Sequence, residues 1–185
     1  MNRSTIAALD IGSSKVCCLI AHIGKDKRIN IVSYGYNASK GIKNGVITDI
    51  NQATLSVCNA VEAAEQMAGE RIESVILNVS GDKTCSRLRS ESISLKKNRP
   101  ISEADIIKVR ERVLSKVNVE NNELIHCLPV GYKIDGNEDV KDPMNIYGEE
   151  LSAGILLGMY PHVLYKNLAS VVEAAHLDIE NKVLS

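Results

Sequence analysis

The sequence predicts an α/β protein with a small α+β unit inserted into it, and three observations carry that prediction. The first eighty or so residues read β-β-β-α-β, a meander and then a helix crossing back to a further strand, which requires at least one parallel pairing. Past Gly81 the pattern changes to polar–apolar alternation with charged turns, and Arg87–Tyr160 reads β-α-β-β. A helical and then an extended stretch close the chain as a return into the first layer.

Thr5–Gly24, TIAALDIGSSKVCCLIAHIG, holds an apolar run ending in Asp10, a turn through Gly12, Ser13, Ser14 and Lys15, and a second apolar run, Val16–Ile23. This spacing predicts two antiparallel strands joined by a small-residue loop. After the polar turn Lys25-Asp26-Lys27, Arg28–Asn37 reads as a third strand with Ile29, Ile31 and Ser33 on one side. Ser39–Ile47, with its two glycines and basic residues, reads as a loop leading into a short extended piece; a connector is commoner there than a lid. Asn51–Ala68 is helical: Ala53, Val57, Ala60, Val61, Ala64, Met67 and Ala68 form an apolar stripe, Asp49 or Asn51 suits the N-cap, and Gly69 suits C′. Glu73–Val79 is a short buried strand ended by Ser80-Gly81-Asp82.

In the second block, Arg87–Leu95 alternates like an exposed or edge strand, and Lys96–Pro100 is a basic, solvated turn. Ser102 opens a helix with Asp105 at the capping-box position; Ile106, Val109, Val113, Leu114 and Val117 face inward, and Lys108, Arg110, Arg112 and Lys116 face water. Glu123–Ile134 reads as a strand that Pro129 confines to an edge or a bulge. Asp135–Gly148 is expected to be a long polar loop, and Glu150–Tyr160 a strong strand. Pro161 then fits the first turn of a helix over His162–Ala175, with Val163, Leu164, Leu168, Val171, Val172 and Ala175 inward. Leu177–Leu184 is extended, and an end inside that run reads as truncation.

Composition narrows the function classes. The 185 residues are 44% hydrophobic with no Trp or Phe, so the core must be Ile, Val, Leu and Ala. Few aromatics argue against a single-strand nucleic-acid binder, and 22 basic against 23 acidic residues give no field favouring nucleic acid or an anionic membrane. No apolar run approaches the roughly 20 residues that span a bilayer, and the N-terminus reaches Asp10 too soon for a signal-peptide core. The expectation is a cytosolic protein. Five scattered cysteines without C-x-x-C spacing read as reduced, mostly buried residues rather than a metal or disulfide framework. His126 lacks a second ligand at metal spacing and reads as structural.

The chemistry concentrates in the first loop. A glycine lets backbone approach a ligand, consecutive N–H groups of a tight turn can face an anion, and Asp10 is placed to hold a hydrated cation beside them. Asp and Gly are also ordinary turn residues, so on motif frequency alone a plain surface hairpin competes evenly. There is no G-x-G-x-x-G, and no glycine stands where a P-loop needs its first one.

The ordered landmarks add to this. LDIGSSKVCCLIA resembles the phosphate-1 loop of the actin, hexokinase and Hsp70 superfamily. Together with GYNASKGIKNGVITDINQATLSVCNAVEAAEQMAG, LNVSG and the block HCLPVGYKIDGNEDVKDPMNIYGEELSAGILLGMYPHVLYKNLASVVEAAHLDI, it resembles the bacterial FtsA cell-division family over essentially all 185 residues. That resemblance implies an actin-like (ribonuclease H-like) subdomain 1A over 1–83, an inserted SHS2-type subdomain 1C over 84–161, and a return into 1A over 162–185. By carry-over, Asp10 would hold Mg through water; Gly12, Ser13 and Ser14 would offer N–H groups to the phosphates of ATP, and Lys15 would assist.

For the whole protein the resemblance implies no catalytic residues and at most weak ATPase activity. It implies self-association into filaments, contacts with later division proteins through 1C, and tethering of the FtsZ ring to the inner face of the cytoplasmic membrane. Family members are about twice this long, so the second phosphate loop, the adenosine pocket, the FtsZ-binding lobe and the membrane helix would lie past Ser185, and these residues alone would bind ATP poorly. Asp82-Lys83 departs from the small residue and His more usual after the glycine. A small-molecule kinase and a pilus-assembly ATP-binding protein of the same superfamily are the competing readings. The inserted β-α-β-β unit and the absence of a substrate-binding Asp/Asn cluster weigh against the kinase; the DP loop and LP strand weigh against the pilus protein.

Overall fold

The computed structural model describes residues 4–119 and 121–185. They divide into two compact units: one contains the chain up to Thr84 and Tyr160–Ser185, and the other is Cys85–Met159.

The first unit is built on a five-stranded sheet. β1 (Ser4–Ile11), β2 (Lys15–Ile23) and β3 (Ile29–Ala38) form the antiparallel meander, and β6 (Ser74–Val79) and β11 (Asp178–Leu184) add in parallel, in the order β11-β6-β1-β2-β3. Leu9, Val16, Ile20, Leu77 and Val75 on the inward side of these strands are completely buried, and α1 (Ile50–Ala68) packs over β2 and β3. Asp49 caps α1 by accepting from the Gln52 N–H at 3.0 Å, and Gly69 at φ 72° ends it, as its flanking residues predict. α3 (His162–Ala174) lies beside α1 and against β11, burying Leu168, Val171 and Val172.

Two inward assignments fail in this unit. Met67 is exposed because the buried stripe of α1 ends at Ala64. Val163 sits in the first turn of α3 and points to solvent. Ile29 and Ile31 are also exposed: the register slips between Ile20 and Ala21, β3 is an edge strand, and α1 packs instead on its Ser33–Gly35 stretch.

Between β3 and α1 the chain makes a miniature hairpin rather than a plain connector. β4 (Ile42–Lys43) pairs with β5 (Val46–Ile47) around Asn44 at φ 51° and Gly45 at φ 74°. Positive φ at both central residues is the turn that Asn-Gly favours.

The second unit is a four-stranded sheet, β7 (Cys85–Ser94), β10 (Glu150–Pro161), β8 (Asn122–Ile134) and β9 (Asn137–Val140) in that order, with α2 (Glu103–Ser115) packed against β7. Its core gathers Ile93, Ile101, Val109, Ile134, Leu151 and Ala153, with Val113, Ile155 and Leu157 in a second cluster. β9 corrects the expected long loop: Asp135 at φ 51° and Gly136 at φ 81° turn the chain so that Val140 pairs with Tyr132. The inserted order is therefore β-α-β-β-β. Pro129 lies on β8 outside the stretch that pairs with the short β9, so its missing N–H costs no bond to that strand. Lys116 and Arg112 are more than half exposed but turn toward Glu91 of β7, at 2.7 and 3.8 Å.

The α2 N-terminus is tied more tightly than its capping box predicts. The Asp105 carboxylate accepts from Ser102 N–H at 3.0 Å and Ser102 Oγ at 2.7 Å, and Arg99 donates to both its oxygens at 2.6 and 2.8 Å. The guanidinium holds the Asp105 carboxyl well below the usual carboxylate range against the opposing effect of burial, and the Ser102 donors add to it.

Candidate functional site

The end of β1 brings the loop residues to one edge of the first sheet. Asp10 pairs across to Cys17 on β2 and runs in parallel register with Asn78 on β6. Because side chains alternate along a strand, Asp10 and Asn78 share a face, and the Asn78 amide donates to Asp10 Oδ1 at 2.9 Å.

The turn after Asp10 is fixed from three directions. Gly12 N–H donates to the Lys15 carbonyl at 3.0 Å and closes the hairpin. Ser39, just beyond β3, donates through Oγ to the Gly12 carbonyl at 2.7 Å and through N–H to the Ser14 carbonyl at 3.1 Å. The Gly45 N–H of the β4–β5 turn donates to Ser13 Oγ at 2.8 Å. Each bond restricts a segment that loop sequence alone would leave mobile.

The predicted residues separate into two adjoining recesses. Gly12 and Ser13 line one of about 380 Å³ with Asn44, Gly45, Gly81 and Asp82. Asp10 and Lys15 line the other, of about 340 Å³, with Asn78 and Cys17. Ser14 is exposed at the tip of the turn between them. The Gly12 N–H is committed to the Lys15 carbonyl, whereas among the described hydrogen bonds none is donated by the Ser13 or Ser14 N–H.

Two features beside the first recess escape sequence reasoning. Tyr160 is almost wholly buried and its hydroxyl donates to the Gly45 carbonyl at 3.4 Å; burial first, and the Asp82 charge second, raise its pKa. The Asn44-Gly45 turn itself is the other, and its dipeptide was the available signal.

The donor set limits how a cation could bind. Among the described residues no group of three or more His, Cys, Asp or Glu side chains gathers as a metal site. A lone carboxylate oriented by a neutral amide suits a magnesium ion that keeps its waters and touches the protein through them. Backbone N–H groups at a tight turn beside Lys15 suit phosphate oxygens. The residues present fit a phosphate–magnesium pair, therefore, but not a fully protein-ligated metal.

Comparison with known proteins places these features in a family context. Residues 81–157 match the family described as the SHS2 domain inserted in FtsA. Cell division protein FtsA of Agrobacterium fabrum is 31% identical over 188 residues, covering 96% of this chain and 42% of that protein. FtsA of Rhizobium meliloti is 33% identical over 96% of this chain and 42% of that protein. FtsA of Escherichia coli is 25% identical over 100% of this chain and 44% of that protein. The chain thus spans less than half the length of these relatives.

Among solved structures, a chain of the PilM-PilN type IV pilus biogenesis complex superposes with a TM-score of 0.60 at 11% identity, covering 100% of this chain and 48% of that chain. At that identity the likeness shows a common fold only. Among the described residues no helix is long and apolar enough to cross a membrane.

Proposed function

The chain belongs with the FtsA cell-division proteins, by its SHS2 domain and by similarity along nearly all of its length, and from that premise we propose that it holds the phosphates and hydrated magnesium of ATP in an assembly protein of the division site. The observation that carries this reading is the turn after Asp10: it is pinned by Ser39 and Gly45, and it brings a carboxylate, the backbone of Ser13 and Ser14, and Lys15 to one end of the sheet. Asp10 holds magnesium through water, Ser13 and Ser14 offer N–H groups, Gly12 keeps the backbone close, and Lys15 balances phosphate charge. The reading assigns the whole protein at most weak ATPase activity.

In the whole protein, nucleotide binding supports self-association into filaments that tether the FtsZ ring to the inner face of the cytoplasmic membrane. The subdomain 1A of this reading corresponds to the five-stranded unit. Subdomain 1C corresponds to the SHS2 unit, which makes contacts with neighbouring protomers and later division proteins. The FtsZ and membrane contacts are assigned to segments outside these 185 residues. The names of the relatives, cell division protein FtsA, support the cellular role.

Co-sedimentation of the protein carrying this chain with FtsZ on phospholipid vesicles tests the proposal. Joint pelleting that depends on Mg-ATP is expected. Failure to co-pellet, or efficient transfer of the ATP phosphate to a small acceptor, overturns it in favour of a kinase-type reading.

A further inference from the structure

We infer that Asn78 is a positioning residue for the cation-holding carboxylate: it fixes the rotamer of Asp10 so that one oxygen is left to face a hydrated divalent cation. The inference rests on the reading of the Asp10 turn given above, and it assigns a task to a residue outside that turn.

Three observations support it. Asp10 and Asn78 are partners in the parallel register of β1 and β6, so their Cα positions are set by the sheet rather than by a loop. Both stand on the face away from the buried Leu9 and Leu77, beside the recess that also contains Lys15. The contact is a single 2.9 Å hydrogen bond to Oδ1. An ionised carboxylate only accepts, so the amide must present its NH₂ group to it.

The chemistry of an amide matters here. The terminal torsion of Asp is broad and roughly two-fold, so an unsupported carboxylate samples many orientations. A lysine in place of Asn78 would orient the carboxylate but also neutralise the charge a cation needs. Asn78 orients Asp10 and leaves its charge intact, with Oδ2 unengaged by any described side chain. Partners that orient a ligating carboxylate are worth about 10–100-fold in metal affinity.

The test measures binding of a fluorescent ATP analogue to the full-length protein, across a magnesium titration and again in EDTA. Asn78→Ala and the shape-conserving Asn78→Leu serve as independent variants, each checked for an unchanged thermal transition. The expected result is about a tenfold rightward shift of the magnesium dependence in both variants, with binding in EDTA altered less than about twofold. A merely structural role would weaken binding equally with and without magnesium, and that result overturns the inference. So does an unshifted magnesium curve in a folded variant. Wild-type protein that binds the analogue without any magnesium dependence overturns the reading of Asp10 as well, which separates the two failures.

Discussion

The backbone of Gly35 lies directly beneath Ala60: a Cβ built on Gly35 would sit 2.1 Å from the Ala60 carbonyl oxygen and 2.6 Å from the Ala64 nitrogen. The small-residue stripe of α1 and the glycine of β3 together set how closely helix and sheet approach. Both obstructing atoms are helix backbone, so no side chain can rotate to make room.

Gly35→Ala should therefore destabilise the first unit by about 1–3 kcal/mol, the usual cost of overpacking a tight contact. Urea unfolding followed by circular dichroism measures it. An unchanged midpoint would show that α1 shifts freely on the sheet.

The pair of Arg99 and Asp105 gives the second unit an acid-sensitive contribution. Folding holds the Asp105 carboxyl below its ordinary 3.8, so its contribution to stability is complete above that value and is lost as pH falls through the folded pKa. Asp105→Asn should lower the urea midpoint at about pH 7 and reduce the further loss seen on going to about pH 3. Equal acid sensitivity in the variant would place the titration elsewhere.

The second unit should fold alone. Cys85 and Met159 are antiparallel partners, so the two ends of this segment lie side by side, and the unit encloses its own core around Val109, Ile134 and Leu151. A peptide of residues 85–159 is expected to unfold cooperatively in urea, with a dispersed amide NMR spectrum. A gradual transition with collapsed dispersion would contradict independent folding.

The sequence made the main elements legible where periodicity was long: the β1–β2 hairpin, α1 with its Asp49 and Gly69 caps, and the Glu150–Tyr160 strand all stand where the pattern places them. Its failures share physical causes. Asn44-Gly45 and Asp135-Gly136 are short-range hairpin signals, but β4 and β5 are two residues long and β9 four, too short to show a periodicity. Ile29, Ile31 and Met67 are apolar at positions that packing leaves uncovered, and hydrophobicity alone does not say which face receives a partner.

The site divides in the same way. Asp10 and the small residues after it are visible as a local motif. Asn78 is not, because an asparagine in a strand acquires meaning only from the register that aligns it with Asp10, and register is a long-range property. Arg99 likewise gains its role only when the turn before α2 folds back on Asp105.

Binding of ATP to the full-length protein with Asp10→Ala tests the central reading most directly, read together with its melting temperature. Asp10 is only half-buried, and its one described side-chain partner is Asn78, so removing it should shift the transition by no more than about 2 °C. Magnesium-dependent affinity should fall by at least about tenfold. Unchanged magnesium-dependent affinity, or a melting temperature lowered by about 8 °C or more, would instead make Asp10 a structural residue and the turn after it an ordinary hairpin.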